Sequence, residues 1–144
     1  MSFSTQDDPV VYVIDDDLAV LESEVALLEA SGIRTRPFAS AEAFLSEPIP
    51  KVRGCIITDL KLGGMSGQQL QRQLREAKCN LPLIVVTGHA TVEVAVTVME
   101  TGAVTLLQKP FKPQQLIDAV HRALSRWETG QPGSVTSRHT ELMP

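Results

Sequence analysis

The sequence predicts a doubly wound α/β domain, with a five-stranded parallel sheet and five helices. Three observations carry this. Short, continuously apolar runs recur along the chain, and buried parallel strands read this way because both sheet faces are covered. Between them lie segments with apolar residues at helical spacing, giving a strand–helix alternation. The runs also stop at polar residues, Asp15, Asp59, Thr87 and Lys109, which a parallel sheet gathers on one edge.

In chain order, Val10, Val11, Tyr12, Val13 and Ile14 form the first run, ended by Asp15, Asp16 and Asp17. A helix follows with Leu18, Leu21, Val25 and Leu28 on one face, and Gly32 closes it. Residues 33–38 make a weaker strand. Ser40 caps a modest helix that runs to Leu45, before Pro48 and Pro50. Cys55, Ile56, Ile57 and Thr58 form the third strand, with Asp59 at its end. Ser66 and Gln69 then have capping-box spacing for a helix with Leu70 and Leu74 inward. Leu83 to Thr87 is the fourth strand, and Val92, Ala95, Val96 and Met99 mark a helix ended by Gly102. Residues 103–107 supply the fifth strand. The last helix starts at Pro113, a residue suited to a first turn, and carries Leu116, Val120, Leu124 and Trp127. Right-handed crossovers leave few strand orders, of which the flavodoxin-like 2-1-3-4-5 is the common five-stranded one. The domain is expected over 1–128, with 129–144 a polar tail or truncated linker containing Gly130, Pro132 and Gly133.

Composition narrows the function classes. At 144 residues, 43% hydrophobic and 21% charged, the chain suits one globular domain. A net charge of -4 without any Lys/Arg run argues against nucleic-acid binding by this domain or attachment to an anionic membrane. No apolar stretch is long enough to span a bilayer, and the polar residues 1–8 make no signal peptide, so a cytoplasmic location is expected. Cys55 and Cys79 lack zinc-ligand spacing and are expected to be reduced thiols.

The strand ends bring Asp15, Asp16, Asp59, Thr87 and Lys109 to one patch. Three carboxylates close together repel and require a counter-ion. All-oxygen ligands on an exposed edge favour Mg²⁺, which shares its shell with water and phosphoryl oxygens. Lys109 adds a compact positive charge. Such a set suits phosphoryl transfer onto a carboxylate, a reaction governed by positioning and charge neutralisation. Asp59 is the expected nucleophile, with Mg²⁺ held by Asp16 and Asp59, and with Thr87 and Lys109 on phosphoryl oxygens.

The motifs Val13-Ile14-Asp15-Asp16-Asp17, Thr58-Asp59-Leu60-Lys61-Leu62-Gly63-Gly64-Met65-Ser66-Gly67, Val85-Val86-Thr87-Gly88-His89-Ala90 and Leu106-Leu107-Gln108-Lys109-Pro110-Phe111 resemble the receiver domain of bacterial two-component response regulators, over about residues 9–127. Residues 40–45 and Thr87-Gly88-His89 are most similar to the nitrogen-fixation-type branch, whose output is a helix-turn-helix domain. The resemblance implies phosphorylation of Asp59 by a histidine kinase. It further implies Mg²⁺ on Asp16, Asp59 and the Lys61 carbonyl, Asp15 acting through water, and a cis Lys109–Pro110 peptide. Thr87 would relay the change to the face made by the fourth helix, fifth strand and fifth helix, a surface also suited to a homodimer. Two positions depart from the family. Gly63 stands where proline is usual, and Leu106 occupies the switch position usually held by an aromatic ring. Lys61 and His89, each two residues beyond a site residue, are placed to affect the lifetime of the phosphoryl group.

Three rival readings are weaker. A phosphatase of the haloacid dehalogenase type resembles Asp-x-Asp, but the second acidic position here is Lys61. A flavin or nucleotide module cradles phosphate after the first strand, where Asp15, Asp16 and Asp17 would repel it. A stand-alone receiver acting through protein contacts differs from the main reading only in output.

Overall fold

The computed structural model describes residues 9–48, 53–61, 64–88, 91–100 and 105–128. The elements are β1 (Val10–Ile14), α1 (Leu18–Ala30), β2 (Arg34–Phe38), α2 (Ala41–Leu45), β3 (Gly54–Asp59), α3 (Gly67–Glu76), β4 (Leu83–Thr87), α4 (Val92–Glu100), β5 (Thr105–Gln108) and α5 (Pro113–Glu128). All strand pairs are parallel, in the order β2-β1-β3-β4-β5. The expected fold class and strand order are those observed. The expected tail, together with His89, Gly63, Gly102 and Ala103, lies outside the described residues.

The sheet divides the core into two layers by strand alternation, although nearly every position in the central strands is apolar. Val10, Tyr12, Ile14, Ile56, Leu83 and Val85 pack with Phe44, Leu70, Leu74 and Val98 from α2, α3 and α4. Val11, Val13, Cys55, Ile57, Ile84 and Val86 pack on the other side with Leu21 and Leu28 of α1 and Leu116, Val120 and Leu124 of α5. Tyr12, Phe38 and Phe44 meet edge-to-face, with centroids 5.6 and 5.3 Å apart. Gly54 is required where β3 starts, because a Cβ there would run into the Val10 carbonyl of β1.

Several local expectations shift. β2 begins at Arg34 rather than residue 33, and Arg34, Arg36 and Pro37 are exposed, which is tolerable only at a sheet edge. β5 runs Thr105–Gln108, one residue past the expected end, because its ladder with β4 continues to the Thr87–Gln108 pair. In α1, Leu18, the first residue of the helix, is 61% exposed rather than inward. The inward positions are Leu21, Glu24 and Leu28, a stripe at i, i+3 and i+7. In α4 the buried residue is Val98, whereas Val92, Val96 and Met99 are exposed. Cys55 and Cys79 are free thiols, and burial pushes that of Cys55 up to about 12. No helix among the described residues is long and apolar enough to cross a membrane.

Candidate functional site

The site lies at the C-terminal edge of the sheet, where β1, β3 and β4 end and the segment after β5 returns. Asp15 follows β1 directly, and its N–H donates to the Phe38 carbonyl at 3.1 Å, extending the β1–β2 pairing by one residue. Its Oδ1 accepts the Asp17 N–H at 2.9 Å. Asp17 is the N-cap of α1, with its Oδ1 accepting from the Ala19 and Val20 N–H groups. Capping is therefore the work of the third aspartate in the run, which leaves Asp15 and Asp16 for other duties. Asp16 is exposed at the rim.

Asp59 is the last residue of β3. The Leu60 N–H donates to the Val86 carbonyl at 2.9 Å, so the β3–β4 ladder continues past it and fixes its backbone. Its Oδ1 accepts the Lys61 N–H at 2.9 Å, and its Oδ2 accepts from Lys109 Nζ at 2.8 Å. The Lys61 side chain is exposed. The Ser66–Gln69 capping box closes the loop that follows, with bonds of 2.9 and 3.1 Å, and anchors the start of α3.

Lys109 arrives from the other side of the sheet. Its N–H donates to the Thr87 carbonyl at 2.8 Å, which ties the segment after β5 to the end of β4. The Lys109–Pro110 peptide is cis. Lys109 Nζ also lies 3.5 Å from Asp15 Oδ2, so one ammonium bridges two carboxylates from different strands. Side-chain exposure is graded: 3% for Asp15, 15% for Asp59 and 27% for Lys109. Of the two acids, Asp59 is the one an incoming group can reach. Thr87 is buried at the end of β4. Leu106 is half-buried, packed on the α2–α3–α4 side of the core.

The electrostatics follow from this geometry. Burial lifts the Asp15 carboxyl above the ordinary carboxylate range, against the Asp17 N–H and the Lys109 charge. Burial disfavours the Lys109 ammonium, but the hydrogen bond and charge of Asp59, followed by Asp15 and Glu24, outweigh it and hold the amine above its usual value. Glu24 is the residue that sequence reasoning missed. It is only 5% exposed on the inward stripe of α1, and burial, then the negative charges of Asp15 and Asp59, push it up to about 7 despite Lys109. The signal was its position, three residues after Leu21 and four before Leu28.

The donor set is oxygen throughout and suits Mg²⁺, which keeps several waters and takes one or two carboxylates. Among the described residues no group of three or more His, Cys, Asp or Glu side chains is close enough to cage a metal unaided. The residues therefore fit a partly hydrated ion and not a closed protein cage.

The response regulator receiver domain family matches residues 11–121, most of the described fold and all of the strand-end residues. The chain belongs to that family. Among curated relatives, this receiver domain is 45% identical over 116 residues to the transcriptional regulatory protein FixJ of Azorhizobium caulinodans, covering 81% of this chain and 55% of that protein. It is 38% identical over 115 residues to the response regulator protein TmoT of Ectopseudomonas mendocina, covering 80% and 52%. The crystal structure of FixJ-N superposes with a TM-score of 0.76 at 41% identity, covering 82% of this chain and 94% of that one. The receiver thus spans about half the length of the curated relatives it matches, and it falls in the nitrogen-fixation-type branch. The family is one of signalling receivers, not of catalytic enzymes.

Proposed function

We propose that this receiver, over residues 1–128, accepts a phosphoryl group on Asp59 from a histidine kinase and passes the change to an output, transcriptional in a longer regulator. The observation that carries the reading is the Lys109 ammonium held between Asp59 Oδ2 and Asp15 Oδ2 at the reachable edge of the sheet. An Asp59 oxygen forms the new O–P bond as the P–N bond of the kinase phosphohistidine breaks, and the imidazole nitrogen keeps the electron pair. The Lys61 N–H fixes Oδ1, which orients the carboxylate for that attack. Lys109 then pairs with one phosphoryl oxygen, and the Thr87 hydroxyl with another. Asp16, Asp59 and the Lys61 carbonyl, with Asp15 through water, would hold Mg²⁺, which would supply the neutralising charge. Its own chemistry is self-phosphorylation from small donors and slow self-dephosphorylation, whose rate Lys61 and His89 affect.

Output runs through the α4–β5–α5 face. Val92, Val96 and Met99 lie exposed on α4 at i, i+4 and i+7, an apolar stripe suited to a second copy of the chain. Leu106 carries no ring to swing, so the switch falls to Thr87, which leads toward α4 and whose carbonyl holds Lys109. A cytoplasmic location, without direct membrane or nucleic-acid contact by this domain, accords with this role. The test is intact-mass labelling with acetyl phosphate and Mg²⁺. Wild type gains one phosphoryl group and Asp59→Asn gains none; an equally labelled variant would refute the assignment.

A further inference from the structure

Behind Lys109, on the α1 side, lies a cavity of about 690 Å³ that the phosphoryl-accepting reading does not use. Its walls are mostly apolar, with Val20, Leu27, Phe111 and Pro113 among them, and its two charged lining residues are Glu24 and Lys109. Glu24 sits where α1 otherwise presents leucine to the core, and it lines this cavity together with Lys109. The charged groups that act on it are Asp15 from the end of β1, Asp59 from the end of β3 and Lys109 from the segment after β5. The cavity wall contributed by α5 is Pro113, and among the described residues no ionisable group of α5 acts on Glu24. A largely buried carboxylate is costly on a helix face that could have been leucine. Its placement in one cavity with Lys109 needs an explanation.

Lys109 supplies one. Its ammonium sits on Oδ2 of Asp59 and Oδ2 of Asp15, within the acidic cluster that would hold a divalent cation. Two cations cannot share that cluster at close range without strong repulsion. The four-carbon stem of lysine lets the ammonium turn, and the open volume beside it leads to Glu24. We propose that Glu24 is a positioning residue for Lys109: its carboxylate gives the ammonium a second resting place on the α1 side when Lys109 releases Asp15 and Asp59 to a divalent cation. This rests on the reading of Asp59 as a Mg²⁺-dependent phosphoryl acceptor. Loss of the Glu24 charge weakens cation binding twice over, by removing a nearby negative charge and by leaving Lys109 no favourable alternative position.

The experiment is a Mg²⁺ titration of the full 144-residue chain, followed by amide shifts around Asp59, for wild type, Glu24→Gln and Glu24→Asp. The dissociation constant rises roughly three- to tenfold in Glu24→Gln and stays within about twofold in Glu24→Asp. Acetyl-phosphate labelling of Glu24→Gln slows at low Mg²⁺ and recovers at saturating Mg²⁺, which separates positioning from chemistry. Unchanged Mg²⁺ affinity in a folded Glu24→Gln overturns the inference and leaves the role of Asp59 standing. Equal weakening in the Gln and Asp variants overturns it in favour of packing. Failure of wild type to bind Mg²⁺ overturns both readings.

Discussion

Replacing Glu24 by leucine should stabilise the fold, and by an amount that depends on pH. Glu24 is 5% exposed, and its proton affinity rises from the ordinary 4.5 to about 7, because burial and then the charges of Asp15 and Asp59 disfavour the carboxylate. The folded state therefore keeps a proton that the unfolded chain gives up between those two values. Wild-type stability falls as pH rises across that window and stays lowered above it. At roughly 1.4 kcal/mol per tenfold change in proton affinity, the full penalty is about 3 kcal/mol near pH 8. Near pH 5 it is about 1 kcal/mol, since only part of the window has been crossed. Leucine removes the charge and keeps the bulk, so the gap between Glu24→Leu and wild type should widen with pH by about 2 kcal/mol, on top of a constant packing gain. In thermal unfolding followed by circular dichroism, a gap of 3 kcal/mol corresponds to a Tm difference of about 10 °C for a domain of this size. An offset of the same size near pH 5 and pH 8 would refute the reasoning, because packing alone has no such pH dependence.

The remaining predictions concern Lys109 and the start of α3. Lys109→Met leaves the buried Asp15 and its neighbour Asp59 without their shared counter-charge, and should cost about 1–3 kcal/mol at neutral pH in denaturant titration. That loss should shrink in acid as Asp15, already raised by burial, becomes neutral; a loss independent of pH would argue against the electrostatic account. Ser66→Ala removes the side-chain acceptor of the capping box and should cost about 1 kcal/mol. Amide exchange at Gln69 should quicken in that variant while exchange in α5 remains at its wild-type rate.

Much of this was legible along the chain because the signals are local. Apolar strands such as Val10–Ile14 and Leu83–Thr87 report burial on both faces, and the alternation with helices then admits few topologies. The capping box at Ser66 and Gln69 could be read from spacing alone, and so could the helix start at Pro113. Asp15, Asp59, Thr87 and Lys109 are strand-end residues, and parallel order sends strand ends to one edge. What was missed is helix facing. Periodicity placed Leu18 inward and passed over Glu24, because hydropathy assigns a leucine to the core and a glutamate to water. As packed, α1 turns Leu21, Glu24 and Leu28 to the core and leaves Leu18 in solvent. In α4 likewise, Val98 is the buried residue and Val92, Val96 and Met99 are exposed, although all four are apolar.

The amino-acid order by itself determined the architecture, the family and the identity of the strand-end residues, since each depends on patterns within a few neighbouring positions and on a topology with few alternatives. Tertiary structure alone decided which charges meet. Lys109 Nζ lies 2.8 Å from an aspartate fifty residues earlier and 3.5 Å from another on a different strand, and it lines one cavity with a glutamate from α1. Distances of that kind follow from how strands and helices pack in space. Ion pairing and desolvation act over a few ångströms regardless of separation along the chain.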